Sequence, residues 1–173
     1  MTKDQAALPE WALPLNLGRH PEGGWYAETW RSELTLPAAS LPGYDGDRAA
    51  GTAIYFVLLP GEESAWHTVR GAEMWLFHRG APVELDLGGD GAVPLSVGPL
   101  SVGPLDVGPL GVGPTGIEHT ETIVVGPDIA AGHRPQALVP PGHWQRARAV
   151  GTEAALVSCI VVPGFDFADF RLA

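Results

Sequence analysis

Basic residues are scarce in this chain of 173 residues: 10 Lys and Arg stand against 20 Asp and Glu, and the net charge is -10 at pH 7. Nucleic acids and anionic membranes are bound through clustered Lys and Arg, so this balance excludes both as expected partners. Cys159 is the only cysteine, which excludes an intrachain disulfide and favours a reducing compartment.

Long apolar runs are also missing. No run reaches the length that crosses a bilayer, and the N-terminal segment MTKDQAALPEWALPLNL has no continuous apolar core of the secretory type. We therefore expect a soluble cytoplasmic protein. What the chain does have is 45% apolar residues, 23 Gly and 17 Pro, a composition that favours one compact domain over residues 1–173 with many turns and short strands.

Short runs rich in β-branched and aromatic residues predict strands, and Gly or Pro separates most of them. Without a convincing amphipathic helix between them, such strands indicate an all-β barrel or sandwich. A short helix near Leu8–Leu13 is the one helical expectation. The predicted strands are Thr52–Leu59, Ser64–Val69, Glu73–His78, Val83–Leu87, Thr120–Val125, Gln136–Val139, Ala147–Ala149 and Ala154–Val162.

A pentapeptide repeat, PLSVG PLSVG PLDVG PLGVG, runs from Pro94 to Pro114. Recurring Pro removes backbone donors and Gly loosens the chain, so this segment cannot be a central strand. We interpret residues 88–117 as an expanded surface loop; a lid or an oligomer contact is the alternative, because its Leu and Val side chains are apolar.

In the segment Gly61–Gly80, GEESAWHTVRGAEMWLFHRG, five residues separate Gly61 from His67, five separate His67 from Glu73, and six separate Glu73 from Gly80. This spacing resembles the first motif of the cupin superfamily. Three further segments, HPEGGWYAETWRS, ALVPPGHWQRA and VVPGFDFADF, resemble more narrowly its DUF985 (Cupin_5) branch. The resemblance implies a double-stranded β-helix, that is, a jelly-roll barrel, and a homodimer.

The resemblance also implies a metal site of three His and one Glu. His67 and Glu73 stand at the first His and the Glu positions, whereas Val69 replaces the second His and Gln145 the last. Imidazole and carboxylate suit Fe, Ni, Mn or Zn, and an amide oxygen is a weaker donor. We predict that His67, Glu73 and Gln145 would bind one divalent transition metal weakly, if at all, with His78 or His143 as compensating ligands.

Without a metal, His67 and Glu73 form a candidate catalytic pair, since a carboxylate can orient an imidazole and raise its basicity. Tyr26 or Tyr55 would serve as the opposing acid if either faces the cavity. A purely structural pair, hydrogen-bonded inside a ligand-binding barrel, is the alternative.

Polar and aromatic side chains near these motifs are typical of a small-molecule pocket. In PEGGWYAETW, alternation places Tyr26, Glu28 and Trp30 on one strand face. The predicted substrate-binding residues are Tyr26, Glu28, Trp66, Trp75, His78 and Gln145.

Three functions remain open at this point. The first is a proton-transfer enzyme (isomerase, epimerase or lyase) acting on a sugar-like or secondary-metabolism substrate, with His67 as base, Glu73 as its orienting partner, and Gln145 and Glu28 positioning substrate. The second is a metal-dependent dioxygenase or lyase. The third is a non-enzymatic barrel that binds a small molecule.

Overall fold

Short antiparallel strands are the main element of the molecule. The structure, a computed structural model, describes residues 8–94 and 121–173. Within these residues the strands are β1 Gly18–Arg19, β2 Trp25–Arg31, β3 Thr35–Leu36, β4 Arg48–Ala49, β5 Thr52–Leu58, β6 His67–Val69, β7 Ala72–Arg79, β8 Val83–Leu87, β9 Glu121–Val125, β10 Gln136–Val139, β11 Trp144–Ala149, β12 Ala155–Val162 and β13 Phe170–Leu172. The 3-10 helices that connect some of these strands in the described part of the chain are Glu10–Leu15, Ala38–Ser40, Ile129–Ala131 and Phe167–Asp169.

The all-β prediction is confirmed. Strands β8 and β10 have the predicted bounds, and every other predicted strand is present with ends shifted by up to three residues. The helix expected near Leu8–Leu13 is the 3-10 helix Glu10–Leu15, which has Pro14 inside it. Most of the predicted repeat loop lies outside the described residues.

Two antiparallel sheets carry the fold. The larger has the order β1-β2-β5-β12-β7-β10 and the smaller the order β13-β6-β11-β8-β9, with β3 and β4 as a separate pair. Neighbours such as β5 and β12 are distant in the chain, as is typical of a jelly roll. The strand β6, which contains His67, lies in the smaller sheet, whereas β7, which contains Glu73, lies in the larger one.

The hydrophobic core draws side chains from both sheets, so the sheets face each other. Phe56, Trp75 and Val157 of the larger sheet cluster with Leu85 and Ala147 of the smaller one, all almost completely buried. Burying this apolar surface is the main force that stabilises the barrel. Among the described residues, no helix is long and apolar enough to span a membrane.

Candidate functional site

A cavity of about 230 Å³ borders the core between the two sheets. Strands β2, β5, β7 and β12 form one wall, β6 forms the other, and the loops β1–β2 and β12–β13 complete it. The lining residues are His20, Glu22, Tyr26, Glu28, Arg31, Thr52, Ile54, Phe56, His67, Val69, Glu73, Cys159, Val161, Phe165, Asp166 and Phe167.

The imidazole of His67 is held from both sides. Its Nδ1 lies 2.8 Å from the Ala65 carbonyl oxygen, which can only accept, so Nδ1 carries a hydrogen. Its Nε2 lies 3.2 Å from Oε2 of Glu22. Both side chains are buried. At this distance Nε2 and Oε2 can share a proton, so His67 and Glu22 form one acid–base pair.

Glu22 reaches His67 because the chain makes a tight turn at His20–Gly24. The backbone N–H of Gly23 donates to the His20 carbonyl at 3.0 Å, and Gly23 and Gly24 have φ of 111° and 69°, where glycine is strongly favoured. A Cβ on Gly23 would lie 2.5 Å from the Glu63 carbonyl oxygen. The turn is therefore pressed against the segment that precedes β6.

The peptide of Ala65 ties this turn to the imidazole. Its N–H donates to the Glu22 carbonyl at 2.7 Å, while its own carbonyl accepts from His67. The same Glu22 Oε2 also lies 3.3 Å from Nδ1 of His20. One carboxylate oxygen thus lies between two imidazoles in the cavity wall.

Glu73 is buried on the opposite wall and is held by Gln145, whose Nε2 donates to Glu73 Oε2 at 2.5 Å. Burial raises the pKa of Glu73, and the charge of Glu22 adds to this, while His67 and the hydrogen bonds from Gln145 and Cys159 act in the opposite direction. The net direction is upward, so Glu73 holds a proton more tightly than an exposed glutamate does. Burial also raises the pKa of the Cys159 thiol well above its ordinary value, which disfavours the reactive thiolate.

The predicted orienting role of Glu73 needs correction. The groups that hold the His67 ring are the Ala65 carbonyl and Glu22, because the turn before β2 brings Glu22 closer than β7 brings Glu73. Glu73 and His67 influence each other by charge across the cavity.

Gln145 does not line the cavity, and its amide is fully engaged. It donates to Glu73 and accepts from the Trp75 indole N–H at 3.0 Å. The Gln145 oxygen is therefore not directed at a metal ion that His67 and Glu73 could also bind. Val69 lines the cavity where a further imidazole ligand would be needed. Among the described residues, no group of three His, Cys, Asp or Glu side chains is arranged to hold a metal ion. The donors at the predicted site of His67, Glu73 and Gln145 do not fit a transition metal.

Strand β2 brings Tyr26 and Glu28 into the cavity, as alternation predicts. Trp30 does not follow them, since the pairing with β5 shifts register between Glu28 and Trp30. This β-bulge changes the phase of the strand, so Arg31 takes the cavity face and Trp30 is 50% exposed.

Four other predicted residues do not line the cavity. Tyr55 lies between two cavity-facing residues of β5 and therefore points to the other face, where its ring packs edge-on against His78. The exposed His78 contacts the Ser158 hydroxyl at 2.6 Å. Trp66, one residue before His67, lies under the guanidinium of Arg146. The remaining one, Trp75, lies in the core and holds Gln145.

The loop β12–β13 covers the cavity with aromatic side chains. Phe167 stacks on His20 with ring centroids 6.0 Å apart, and Phe165 packs edge-on against Phe167. The end of this loop is anchored by buried Asp169, which accepts hydrogen bonds from Arg48 at 2.7 and 3.1 Å. In the sequence, VVPGFDFADF indicated only the family resemblance, and its place in the cavity lining follows from the structure.

Comparisons with known proteins agree on one family. The family Cupin_5, described as Cupin superfamily (DUF985), matches residues 9–173. A hypothetical protein from Leishmania major is 28% identical to this chain, with a TM-score of 0.72. The match covers 94% of this chain and 85% of the Leishmania protein. A protein from Shewanella oneidensis is 30% identical to this chain, with a TM-score of 0.70. The match covers 100% of this chain and 85% of the Shewanella protein.

A more distant likeness concerns the fold alone. An L-ribose isomerase from Cellulomonas parahominis is 16% identical to this chain, with a TM-score of 0.54. The match covers 85% of this chain and 64% of the isomerase. Among proteins of curated function, no sequence matches significantly.

Proposed function

The chain belongs to the DUF985 (Cupin_5) branch of the cupin superfamily, and we propose that it is an enzyme that moves protons on a small polar metabolite, as an isomerase, epimerase or lyase. The observation that carries this proposal is the buried pair in which His67 Nε2 and Glu22 Oε2 lie 3.2 Å apart in the cavity lining. A fixed imidazole tautomer beside a carboxylate is an arrangement suited to general acid–base catalysis.

In the proposed reaction, the His67–Glu22 pair acts as the base in the state in which no proton lies between Nε2 and Oε2, and His67 Nε2 takes a proton from a substrate carbon next to a carbonyl group. Ala65 keeps the opposite nitrogen protonated, so the ring can accept only at Nε2. The carboxylate of Glu22 stabilises the imidazolium that forms. Return of the proton to the same or the neighbouring carbon completes an epimerisation or an isomerisation.

Two groups in the lining are candidates for the opposing acid that protonates the carbonyl oxygen. Tyr26 presents a phenol, and Glu73 presents a carboxyl group whose pKa burial raises. Tyr55 is not a candidate, since it lies on the other face of β5. No step is assigned to a metal, because the available donors do not fit one.

The size of the cavity supports a small substrate. Its volume of about 230 Å³ is below the range of roughly 300–1,000 Å³ that is usual for sites of drug-sized ligands. Polar groups and aromatic rings share the lining, as in many sites for small metabolites.

Solvent-deuterium exchange tests this function. Aldoses, ketoses and hydroxy ketones that raise the melting temperature of the protein would be incubated with it in deuterium oxide and followed by NMR. We expect exchange at a carbon-bound hydrogen, and a loss of about a hundredfold or more in the His67→Gln and Glu22→Gln variants. The control is His133→Gln, outside the cavity lining, which should exchange at the wild-type rate.

Saturable binding without exchange or product would contradict the proposal and would identify a binding barrel instead. Unchanged exchange in a folded His67→Gln protein would contradict the assignment of the base. Circular dichroism and melting temperature establish that each variant is folded.

A further inference from the structure

The charge balance of the cavity points to the class of substrate. We propose that Glu28 sets specificity by binding the guanidinium of Arg31, which is then not free to bind a substrate anion. The site would accept uncharged, hydroxyl-bearing metabolites and reject phosphorylated and carboxylated ones. This inference rests on the proposed function only in taking this cavity as the substrate site. This goes beyond the proton-transfer reaction, which would be compatible with either class.

Arg31 is the one lining residue of the described chain with a permanent positive charge. Its Nε donates to Glu28 Oε1 at 3.0 Å and its Nη2 donates to Glu28 Oε2 at 2.6 Å. Its Nη1 and Nη2 both lie 3.4 Å from the carbonyl oxygen of Phe165. The planar edge of a guanidinium that would bind a phosphate or carboxylate in bidentate fashion is therefore already taken by an internal carboxylate.

The other ionisable groups of the lining do not replace this lost cation. The imidazoles of His67 and His20 both face the carboxylate of Glu22, which compensates positive charge on them. Burial raises the pKa of Glu73, and that carboxyl group supplies no positive charge in either form. Asp166, which accepts from the Ala168 N–H at 2.9 Å, adds a further carboxylate. An anionic substrate would enter a cavity with no uncompensated positive charge.

The bulge in β2 makes this arrangement. Without the register shift after Glu28, residues 28 and 31 would point to opposite faces of the strand. With it, carboxylate and guanidinium lie side by side in the lining. Glu28 and Arg31 therefore function as a local pair, and removing one member should expose the other.

Inorganic phosphate is the probe for the experiment, and calorimetric titration is the measurement. Wild-type protein should show no cavity binding, whereas Glu28→Gln should gain affinity for phosphate by about tenfold or more, since a free guanidinium becomes available. The double variant Glu28→Gln with Arg31→Gln should lose this gain. The matched control is Glu84→Gln, which removes the carboxylate partner of Arg148 outside the cavity lining and should leave phosphate affinity as in the wild type.

The substrate class is tested on matched ligands. A free sugar that binds the wild type should bind about tenfold or more tightly than its phosphate ester or its acid derivative, and Glu28→Gln should narrow that ratio. Tighter binding of the anionic member by the wild type, or no gain of phosphate binding in a folded Glu28→Gln variant, would overturn the inference. These are binding measurements and do not depend on deuterium exchange. Failure of the proton-transfer proposal can therefore be distinguished from failure of the proposed substrate class.

Discussion

The carboxyl group of Glu73 has a pKa that its surroundings raise. Burial is the largest cause that raises its pKa, and the charge of Glu22 acts in the same direction. His67 and Gln145 counteract this only in part. A raised pKa increases the share of the protonated form, which can donate a proton, so burial favours the property that the proposed reaction needs.

Replacement of Glu73 by Gln should change how stability depends on pH. A folded-state pKa above the unfolded one means that the folded protein binds the proton more tightly. The stabilisation is then complete below the unfolded-state pKa, near 4.5, and is lost as the pH rises through the folded-state pKa. The free energy of unfolding of Glu73→Gln, relative to wild type, should therefore increase from about pH 4 upward.

Urea unfolding at a series of pH values measures this difference. Glu153→Gln, at an exposed position, is the control, and its free energy of unfolding should change with pH as that of the wild type does. A Glu73→Gln protein whose relative stability falls or stays level as the pH rises would show that the pKa of Glu73 is not raised in the folded protein.

Single residues also show how far the sequence predicts the site. His67 and Glu73 could be placed in the cavity because strand alternation and motif spacing are local properties. Glu22 could not be predicted as the partner of His67, because it is 45 positions away in the chain and its approach depends on one turn docking against Ala65. The pair of glycines that follows Glu22 signals a tight turn but not where that turn docks.

At the scale of elements, the turn His20–Gly24 determines where Glu22 lies. Gly24 has a φ of 69°, and a Cβ there would lie 2.8 Å from the Phe56 ring and 3.0 Å from the Val57 carbonyl oxygen. Those distances are too short for any side chain, so the backbone would have to move away from β5. Glu22 would move with it.

Gly24→Ala should therefore lower the free energy of unfolding by more than the cost of placing Ala at a positive φ without steric overlap. We expect a loss of roughly 2–4 kcal/mol, from strained backbone and steric overlap together. Gly142→Ala is the matched control, because Gly142 has a φ of 73° but nothing within 4 Å of an added Cβ, and it should lose about 1 kcal/mol. Chemical denaturation measures both; equal losses would mean that the close approach of the turn to β5 has no energetic role.

Strand β2 shows what element-level prediction can and cannot reach. Its existence and the cavity face of Tyr26 and Glu28 follow from its sequence. The bulge at Thr29 does not, because it arises from pairing with β5, and one unpaired residue exchanges Trp30 for Arg31 on the cavity face. A charged pair was thereby placed where an aromatic side chain was expected.

At the scale of the whole molecule, the site is a product of topology. His67 and Glu73 are six positions apart in the chain, yet they lie in different sheets and face each other across the cavity. The fold was predictable because each strand is marked by its own composition. The site was only partly predictable, because its walls are joined by long-range pairings and by two loops that contact them.

Association is the remaining prediction at this scale, and the charge of the chain determines how to test it. A homodimer joins two protomers that each carry a net charge of -10 at pH 7, so their repulsion opposes association at low ionic strength. Added salt screens charges over a Debye length of about 10 Å at 0.1 M. Sedimentation velocity should therefore show a species of twice 18.2 kDa, with a dissociation constant that falls as salt is raised. An unchanged mass of one chain at all salt and protein concentrations would refute the dimer, and dissociation on adding salt would point to an interface held by opposite charges.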